Sequence, residues 1–282
     1  MNGDPLVGKL VGGRFFVEER IGEGGYTVIY RATQQPIERP VALKVLAAHV
    51  AADPSWVARF HVSARHIAQV SHPHLMQVFD HGVAEGFHYV AGELLAGHSL
   101  RRELDRVGHL DVRRALEIIA PTCRALQAIH DHGIVLRDVK PETIYLCGDD
   151  GGASWVKLLF STILKVDDPE SPKTRPGVVF GTPWYMSPEQ VQGKPLGPTS
   201  DLYAVGLVLY EAIAGYKAFD DESATEVALK QLRAKAPPLP ERVPGLVAAI
   251  IERALAKRPQ DRPQSGDDLA RECEAALAIL SG

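Results

Sequence analysis

The chain has 282 residues, 45% of them hydrophobic, which is enough to bury a substantial core and excludes a disordered protein. Its 31 basic and 35 acidic residues are well mixed and give a formal net charge of −4, so neither nucleic acid nor an anionic membrane surface is an expected partner. The sequence has no apolar stretch of the roughly 20 residues that a membrane helix needs. Its three cysteines cannot build a disulfide framework or a four-cysteine zinc site, which favours a reducing cytoplasm.

Short β-branched and apolar runs dominate the first part of the chain. The runs at 15–21, 28–32 and 41–46 are separated by Gly and Pro, a pattern that predicts antiparallel strands. Asp53-Pro54-Ser55 is typical of a helix N-cap, and the apolar spacing of three to four residues over 56–67 predicts an amphipathic helix. Two further strands are predicted at 76–79 and 87–91.

Longer helical periods follow Gly97. They predict helices at 112–130, 200–214, 225–234, 246–256 and 267–280. A Pro- and Gly-rich stretch at 167–188 interrupts them, and loops of that length in a compact domain are usually functional or mobile. A small strand-rich lobe is therefore expected to precede a larger helical one.

Six short motifs follow one another along the chain. The first two are Gly22-Glu23-Gly24-Gly25-Tyr26-Thr27-Val28-Ile29, between two predicted strands, and Val41-Ala42-Leu43-Lys44. The next two are Leu136-Arg137-Asp138-Val139-Lys140-Pro141-Glu142 and Gly181-Thr182-Pro183-Trp184-Tyr185-Met186-Ser187-Pro188-Glu189. The last two are Asp201-Leu202-Tyr203-Ala204-Val205-Gly206 and Lys257-Arg258-Pro259-Gln260-Asp261-Arg262-Pro263. In this order they resemble the signature motifs of bacterial serine/threonine protein kinases.

The resemblance implies an α+β, bilobal protein-kinase-like fold with a small antiparallel sheet lobe and a larger, mainly α-helical lobe. We expect an N-terminal tail at 1–13 and a kinase-like domain at 14–280, divided into a lobe at 14–92, a hinge at 93–98 and a lobe at 99–280. The resemblance also implies that Glu189 pairs with Arg262, and that Asp201 holds the backbone of the catalytic loop.

The same resemblance implies a set of site residues. Asp138 and Lys140 match the catalytic positions, either as working groups or as inherited ones. If ATP binds, its expected contacts are Gly22, Gly24, Ile29, Ala42, Lys44, Glu93, Leu95 and Tyr145. Thr27 replaces the third glycine of the loop, and its Cβ should hinder close approach of phosphate.

The positions that hold magnesium in the family depart from its pattern. Phe160 stands where the aspartate of Asp-Phe-Gly belongs, and no acidic residue lies between Asp150 and Asp167. Thr143 stands where the catalytic loop has asparagine, and the one asparagine of the chain is Asn2. We therefore expect no metal site, with magnesium bound weakly or not at all.

Two further departures weaken the active arrangement. Ser63 replaces the helix glutamate that pairs with Lys44, and positions 54–79 contain no Asp or Glu. The helix should therefore be free to sit away from its active position. Ser161 replaces the phenylalanine of Asp-Phe-Gly.

Three functions remain open at this stage. The first is a pseudokinase that acts as a regulatory or scaffold module, with an active serine/threonine kinase or a phosphothreonine-binding domain as partner. The second is an atypical active kinase in which Asp138 and Lys44 still work and Glu142 substitutes for a metal ligand. The third is an ATP sensor that transfers no phosphate.

Two finer expectations concern single positions. Thr174 lies between Lys173 and Arg175, so another kinase could phosphorylate it, and Arg137 could capture the phosphate. Gly92 aligns with the position that usually closes the pocket behind adenine. Either this pocket is open to bulky adenine analogues, or Phe160 or Tyr145 fills it.

Overall fold

The computed structural model describes residues 4–148, 155–160, 165–166 and 182–281, with 165–166 described as backbone. The chain divides into two compact units. Among the described residues, the first, the sheet unit, comprises 4–71, 76–96 and 166; the second, the helical unit, comprises 72–75, 97–148, 155–160, 165 and 182–281.

The sheet unit contains a six-stranded antiparallel sheet in the order β1-β2-β3-β4-β6-β5. Its strands are β1 Leu10–Val11, β2 Phe15–Glu23, β3 Thr27–Gln34, β4 Arg39–Leu46, β5 Val78–Ala84 and β6 Phe87–Glu93. Two helices, α1 Ala48–Ala51 and α2 Pro54–Ile67, follow β4. As predicted, Asp53 caps α2: its side chain accepts a hydrogen bond from the Ser55 amide at 2.8 Å.

One face of the sheet carries the core of this unit. Alternate residues of the central strands, such as Tyr30, Val41 and Leu43, are buried there. The structure differs from the predicted N-terminal tail at 1–13, because Leu6 and Val11 are buried in the same cluster and β1 pairs with β2. These two apolar side chains lie within a polar, Gly-rich segment. From the sequence pattern alone, such a segment cannot be distinguished from a tail.

Strand β5 lies further along the chain than the predicted strand at 76–79. The polar residues Asp80 and His81 break the apolar pattern, but they pair with β6 beyond an irregularity between Val78 and Asp80. Glu85 and Gly86 form the two-residue loop to β6 with φ of 50° and 81°, the conformation that tight hairpins favour.

The helical unit contains short strands, followed by most of the helices. Its strands are β7 Gly97–Ser99, β8 Ile134–Val135, β9 Ile144–Cys147 and β10 Trp155–Leu158, of which β10-β9-β7 form an antiparallel sheet. Strand β11 Lys165–Val166 has one residue in each unit. Its helices are α3 Leu100–Val107, α4 Val112–His130, α5 Pro188–Val191, α6 Pro198–Ala214, α7 Ala224–Arg233, α8 Gly245–Ala254 and α9 Gly266–Ser281. Among the described residues, no helix combines the length and apolar character needed to cross a bilayer.

Helix α6 forms the centre of this unit, since every residue from Ser200 to Ala214 is buried. It packs closely on α8, because a Cβ at Gly206 would lie 2.8 Å from Cβ of Ala254. Helix α3 was not predicted from the sequence, since in eight residues it buries only Leu100 and Leu104.

Candidate functional site

Four of the predicted ATP-contacting residues lie side by side in the sheet unit. Ile29 of β3 is directly opposite Lys44 of β4 and opposite Gly22 of β2. Ala42 and Lys44 alternate with the buried residues of β4 and so share the face opposite the core. Strand pairing therefore brings these residues together on one face, as the motif order implied.

The glycine-rich loop is attached to the start of helix α2. The Gly24 amide donates to the Thr27 carbonyl at 2.8 Å, which closes a tight turn, and the Thr27 side chain is buried. The Tyr26 ring stacks on Trp56 with 4.6 Å between centroids, and the Ala47 amide donates to the Tyr26 carbonyl at 2.9 Å. Sequence reasoning missed this attachment, because the aromatic pair is separated by 30 positions.

The Lys44 ammonium lies in a desolvated environment. Burial lowers its pKa from 10.5 to about 8. Helix α2, on which Ser63 is buried, has no Asp or Glu that could offset this effect. Whether the helix sits away from the active position stays a prediction.

Glu93 and Leu95 close this group at the end of β6. The Glu93 amide donates to the Gln77 carbonyl at 2.9 Å, and Leu95 is half-buried. A Cβ at Gly92 would lie 2.9 Å from the Gln77 carbonyl oxygen and 3.3 Å from Cε of Met76. The two expectations for the pocket behind adenine, open or filled by Phe160 or Tyr145, stay predictions.

The helical unit carries the predicted catalytic residues in an assembled cluster. The Lys140 ammonium lies 2.8 Å from the Asp138 carboxylate and donates to the Thr182 hydroxyl at 3.0 Å. The Thr182 hydroxyl also lies 3.4 Å from the other Asp138 oxygen. This arrangement places a carboxylate, an ammonium and a hydroxyl together, which is suitable for orienting a substrate hydroxyl.

The two metal-ligand positions are adjacent in the fold. Strands β9 and β10 pair in a register that sets Leu158 opposite Ile144, and the next amide, Leu159, donates to the Thr143 carbonyl at 2.7 Å. Phe160 follows at once and is 2% exposed. The alignment that assigned these positions from sequence is therefore supported by the strand register.

Neither side chain at these positions fits a metal ion. The Thr143 hydroxyl donates to the Lys140 carbonyl at 2.9 Å and accepts from the Lys140 amide at 3.1 Å, so it caps its own loop. The Phe160 ring offers no oxygen ligand. In the described part of the chain, no group of three or more His, Cys, Asp or Glu side chains is arranged to hold a metal.

Asp201 anchors the catalytic loop from helix α6. Its two oxygens accept the Leu136 amide at 2.9 Å and the Arg137 amide at 2.8 Å, as predicted. His130 adds a third contact at 2.8 Å, which was not predicted. The backbone of Arg137 has a φ of 66°, an uncommon conformation for a non-glycine residue that these contacts hold in place.

A buried ion pair fixes the segment that precedes α6. Arg262 donates to both Glu189 oxygens at 2.7 and 2.8 Å, and Ser200 donates to Glu189 at 2.6 Å, which confirms the predicted pairing. Burial opposes ionisation of Glu189, but the hydrogen bonds from Arg262 and Ser200 outweigh it and lower the pKa of this carboxyl.

Glu142 and Tyr145 are held by contacts of their own. The Glu142 carboxylate, which was considered as a substitute metal ligand, lies 3.5 Å from the Arg101 guanidinium and forms an ion pair with it. The Tyr145 hydroxyl donates to the Gly97 carbonyl at 2.8 Å, and burial raises the pKa of that hydroxyl. The expectations for Ser161, Thr174 and Gly181 lie outside the described residues.

Comparison with known proteins agrees with this geometry. The family model described as the protein kinase domain matches residues 15–273. Pkn3 of Myxococcus xanthus, a serine/threonine-protein kinase, is 38% identical over 281 residues, which cover 96% of this chain and 51% of Pkn3. PknA of Mycobacterium tuberculosis, also a serine/threonine-protein kinase, is 37% identical over 283 residues, covering 99% and 64%. The chain thus spans about half to two thirds of the length of these curated relatives.

A solved structure shows the same fold. A crystal structure of the PknI kinase domain from Mycobacterium tuberculosis, in a point-mutant form, matches with a TM-score of 0.73 and 25% identity over 98% of each chain. The predicted fold class, a small antiparallel sheet lobe with a larger helical lobe, is confirmed. The chain belongs to the protein kinase domain family, and within it to the bacterial serine/threonine branch that includes PknA and Pkn3.

Proposed function

We propose that this chain is a pseudokinase, a kinase-fold protein with impaired phosphotransfer that acts as a regulatory or scaffold module in bacterial serine/threonine phosphorylation signalling. One observation carries the proposal: where the family binds magnesium, this chain has a threonine hydroxyl bonded to its own loop and a buried aromatic ring. Losing both ligands should raise the barrier to transfer by about 3–6 kcal/mol, which lowers the rate by about 10²- to 10⁴-fold.

In this proposal the module works in the cytoplasm through other proteins. An active serine/threonine kinase or a phosphothreonine-binding domain is the expected partner, and Thr174 is the expected site of modification. ATP remains a candidate ligand, because the predicted contacts Ile29, Ala42 and Lys44 share one face of the sheet. An ATP sensor without transfer belongs to the same proposal, since it needs no metal ligand.

The assembled cluster of Asp138, Lys140 and Thr182 supports a second candidate function. A carboxylate oriented in this way can still accept a proton from a substrate hydroxyl, which would allow slow serine/threonine phosphotransfer with weak metal dependence. The names of Pkn3 and PknA as kinases favour the same candidate.

A phosphotransfer assay separates the two candidates. We expect negligible transfer of the γ-phosphate of ATP to the protein itself or to a generic substrate, in magnesium or manganese. Asp138→Asn serves as the zero reference, and the double variant Thr143→Asn with Phe160→Asp, verified as folded by circular dichroism, tests whether the metal positions limit the rate. Native activity within about tenfold of an ordinary kinase, abolished by Asp138→Asn, would establish the second candidate instead.

Thermal stability in the presence of ATP tests nucleotide binding separately. A shift of equal size with and without magnesium indicates a nucleotide sensor, since no metal ligand takes part. No shift supports a scaffold that binds no nucleotide. A shift that requires magnesium would contradict the assignment of Thr143 and Phe160 as unable to hold the metal.

A further inference from the structure

Three histidine side chains meet where helix α2 packs on the β5–β6 hairpin of the sheet unit. His61 of α2 lies beside His88 of β6, with 5.1 Å between ring centroids, and beside His81 of β5, with 5.9 Å. In the strand pairing, His88 is opposite Val83, two residues from His81, so His81 and His88 share one face of the hairpin. We call His61, His81 and His88 the histidine cluster.

A hydrogen bond between two of the rings depends on their protonation. His61 Nε2 lies 2.9 Å from His88 Nδ1, so in the neutral pair one nitrogen donates its proton to the lone pair of the other. When both rings are protonated, two N–H donors face each other at this distance and the hydrogen bond is lost. This link between α2 and β6 therefore requires that one of the two rings stays neutral.

The third ring, His81, is also poorly placed to carry a charge. Its Nδ1 is buried and has no hydrogen-bond partner within the described part of the chain. A charged imidazole has a proton on both nitrogens, so Nδ1 would become a buried donor without an acceptor. Native folds avoid such donors, and protonation of His81 is therefore unfavourable while the sheet unit stays folded.

The side chains that share this face of the sheet add positive charge. Helix α2 has no Asp or Glu and carries Arg65 one turn after His61. On β4, Lys44 is opposite Val90, which lies two residues from His88, so Lys44 is on the same face as the cluster. A proton added to the cluster therefore joins cations that are already present.

The acids of the hairpin do not balance this charge. Asp80 directly precedes His81 and so lies on the other face of the strand, where its carboxylate is 3.0 Å from the Arg14 guanidinium. Glu93 is opposite Val41, a residue of the buried core. Glu85, in the loop, accepts a backbone amide from the β1–β2 turn at 3.2 Å. Within the described residues, the hairpin thus supplies no carboxylate to pair with a protonated ring of the cluster.

The pKa of His61 reflects this environment. Burial, together with His88, His81 and Arg65, lowers it from 6.5 to about 4. The unfolded ring gains a proton below about pH 6.5, whereas the folded ring gains it only near pH 4. The stability that the neutral ring contributes is therefore complete above about pH 6.5, and it is lost progressively as the pH falls from there toward 4.

We propose that the histidine cluster is an acid-sensitive contact that releases α2 from the β5–β6 hairpin when its rings are protonated. While His61 is neutral, its bond to His88 holds the helix on the sheet. In acid, cations gather where the described residues offer no carboxylate, and separation of α2 lets water solvate them. The inference does not depend on the proposed function, because the cluster belongs neither to the catalytic loop nor to the metal-ligand positions.

Denaturant unfolding at pH 7.5 and pH 5.5 measures the acid response, which is the factor by which the unfolding equilibrium constant rises between the two. His61→Gln keeps a polar side chain that does not titrate, and His49→Gln makes the same change at an exposed residue of α1. Because water partly screens the half-buried ring, we expect the acid response of native protein and of His49→Gln to exceed that of His61→Gln about five- to tenfold. An equal response in native protein and His61→Gln would overturn the proposal.

Hydrogen exchange, followed by mass spectrometry and corrected for the intrinsic rate at each pH, locates the release. Peptides from α2, residues 54–67, are compared with peptides from β3, residues 27–34, in the same unit. In native protein, acid should raise the opening constant of α2 several-fold more than that of β3, and this difference should vanish in His61→Gln. If acid opens α2 and β3 equally, the helix does not separate by itself and the proposed release is rejected.

A double variant tests whether the neighbouring rings take part. His81→Gln with His88→Gln removes both histidines of the hairpin and keeps His61, and circular dichroism at pH 7.5 verifies that it is folded. Two positions that become cationic in acid are then neutral, so we expect an acid response smaller than that of native protein and larger than that of His61→Gln. A response of native size would leave His61 alone as its cause and reject the cluster.

Discussion

Two regions of the helical unit differ in how they match the kinase pattern. The buried ion pair of Glu189 and Arg262 keeps both partners in bidentate geometry, whereas the metal-ligand positions Thr143 and Phe160 keep neither ligand. The ion pair holds the fold together, whereas the residues that the family has at the two metal positions serve phosphotransfer. The contacts that hold the fold thus remain in a chain whose two metal-ligand positions carry a threonine and a phenylalanine, and the Glu189–Arg262 pair requires no metal.

Removing one partner of the ion pair should have the largest effect. In Arg262→Ala, Glu189 would remain buried without its cation, so we expect the free energy of unfolding to fall by about 3–5 kcal/mol. Denaturant unfolding measures the change. Arg258→Ala is the matched control, because Arg258 pairs with Asp261 in the same segment but is 72% exposed, and it should change stability little. Equal losses in the two variants would show that the ion pair does not hold the unit.

Lys44 matches the family pattern although burial opposes the charge of its side chain. Its pKa is lowered to about 8, which corresponds to about 3 kcal/mol of unfavourable charge burial at pH 7. Lys44→Met should therefore raise the free energy of unfolding at that pH by up to about this amount. Lys9→Met, an exposed lysine of the same unit, is the control.

The effect of Lys44→Met should depend on pH with a defined sign. Between about 8 and 10.5 the unfolded lysine binds a proton that the folded one has lost, so native stability rises with pH and the advantage of the variant shrinks. Unfolding at pH 7 and pH 9.5 measures this. A gain that is independent of pH would show that packing, and not charge burial, causes it.

Much of the fold could be predicted because its signals are local. Helix α4 has the predicted bounds, and the other long helices begin and end within two residues of theirs, since their apolar spacing is regular. Helix α3 was not predicted, and strand β5 was placed too early in the chain. In both segments, polar residues interrupt the apolar periodicity. Leu6 and Val11 contribute to a core formed by residues distant in sequence, which no local pattern reveals.

The candidate site likewise has some features that could be predicted from the sequence and others that could not. Motif spacing assigned Thr143, Phe160 and Lys44 to their positions, and strand register agrees with the first two. The stacking of Tyr26 on Trp56 and the packing of Met76 beside Gly92 depend on side-chain contacts between different elements. These contacts decide what a substitution does at a site, and they could not be derived from spacing.

The substitution Gly92→Ala tests how tightly the neighbouring residues pack around Gly92. A Cβ there would meet the Gln77 carbonyl oxygen at 2.9 Å, and backbone cannot move as easily as a side chain, so Gly92→Ala should cost about 1–3 kcal/mol. Gly25→Ala is the control, since no atom lies within 4 Å of its added Cβ. Thermal unfolding of the two variants measures the difference. A neutral Gly92→Ala would show that the backbone at Gln77 yields to the added methyl group.

Replacing Thr143 should have the smallest effect on stability, and it tests directly whether this metal-ligand position has lost its metal. Its hydroxyl exchanges two hydrogen bonds with the Lys140 backbone, so Thr143→Val, which keeps the shape and removes the hydroxyl, should cost about 1 kcal/mol of stability. Thr225→Val makes the same chemical change at an exposed residue of α7 and should be close to neutral. Both variants are unfolded with denaturant in the presence and absence of magnesium. Because the hydroxyl serves its own loop, the loss in Thr143→Val should be the same in both conditions; a loss that appears only with magnesium would make Thr143 a metal ligand and remove the contrast with the ion pair.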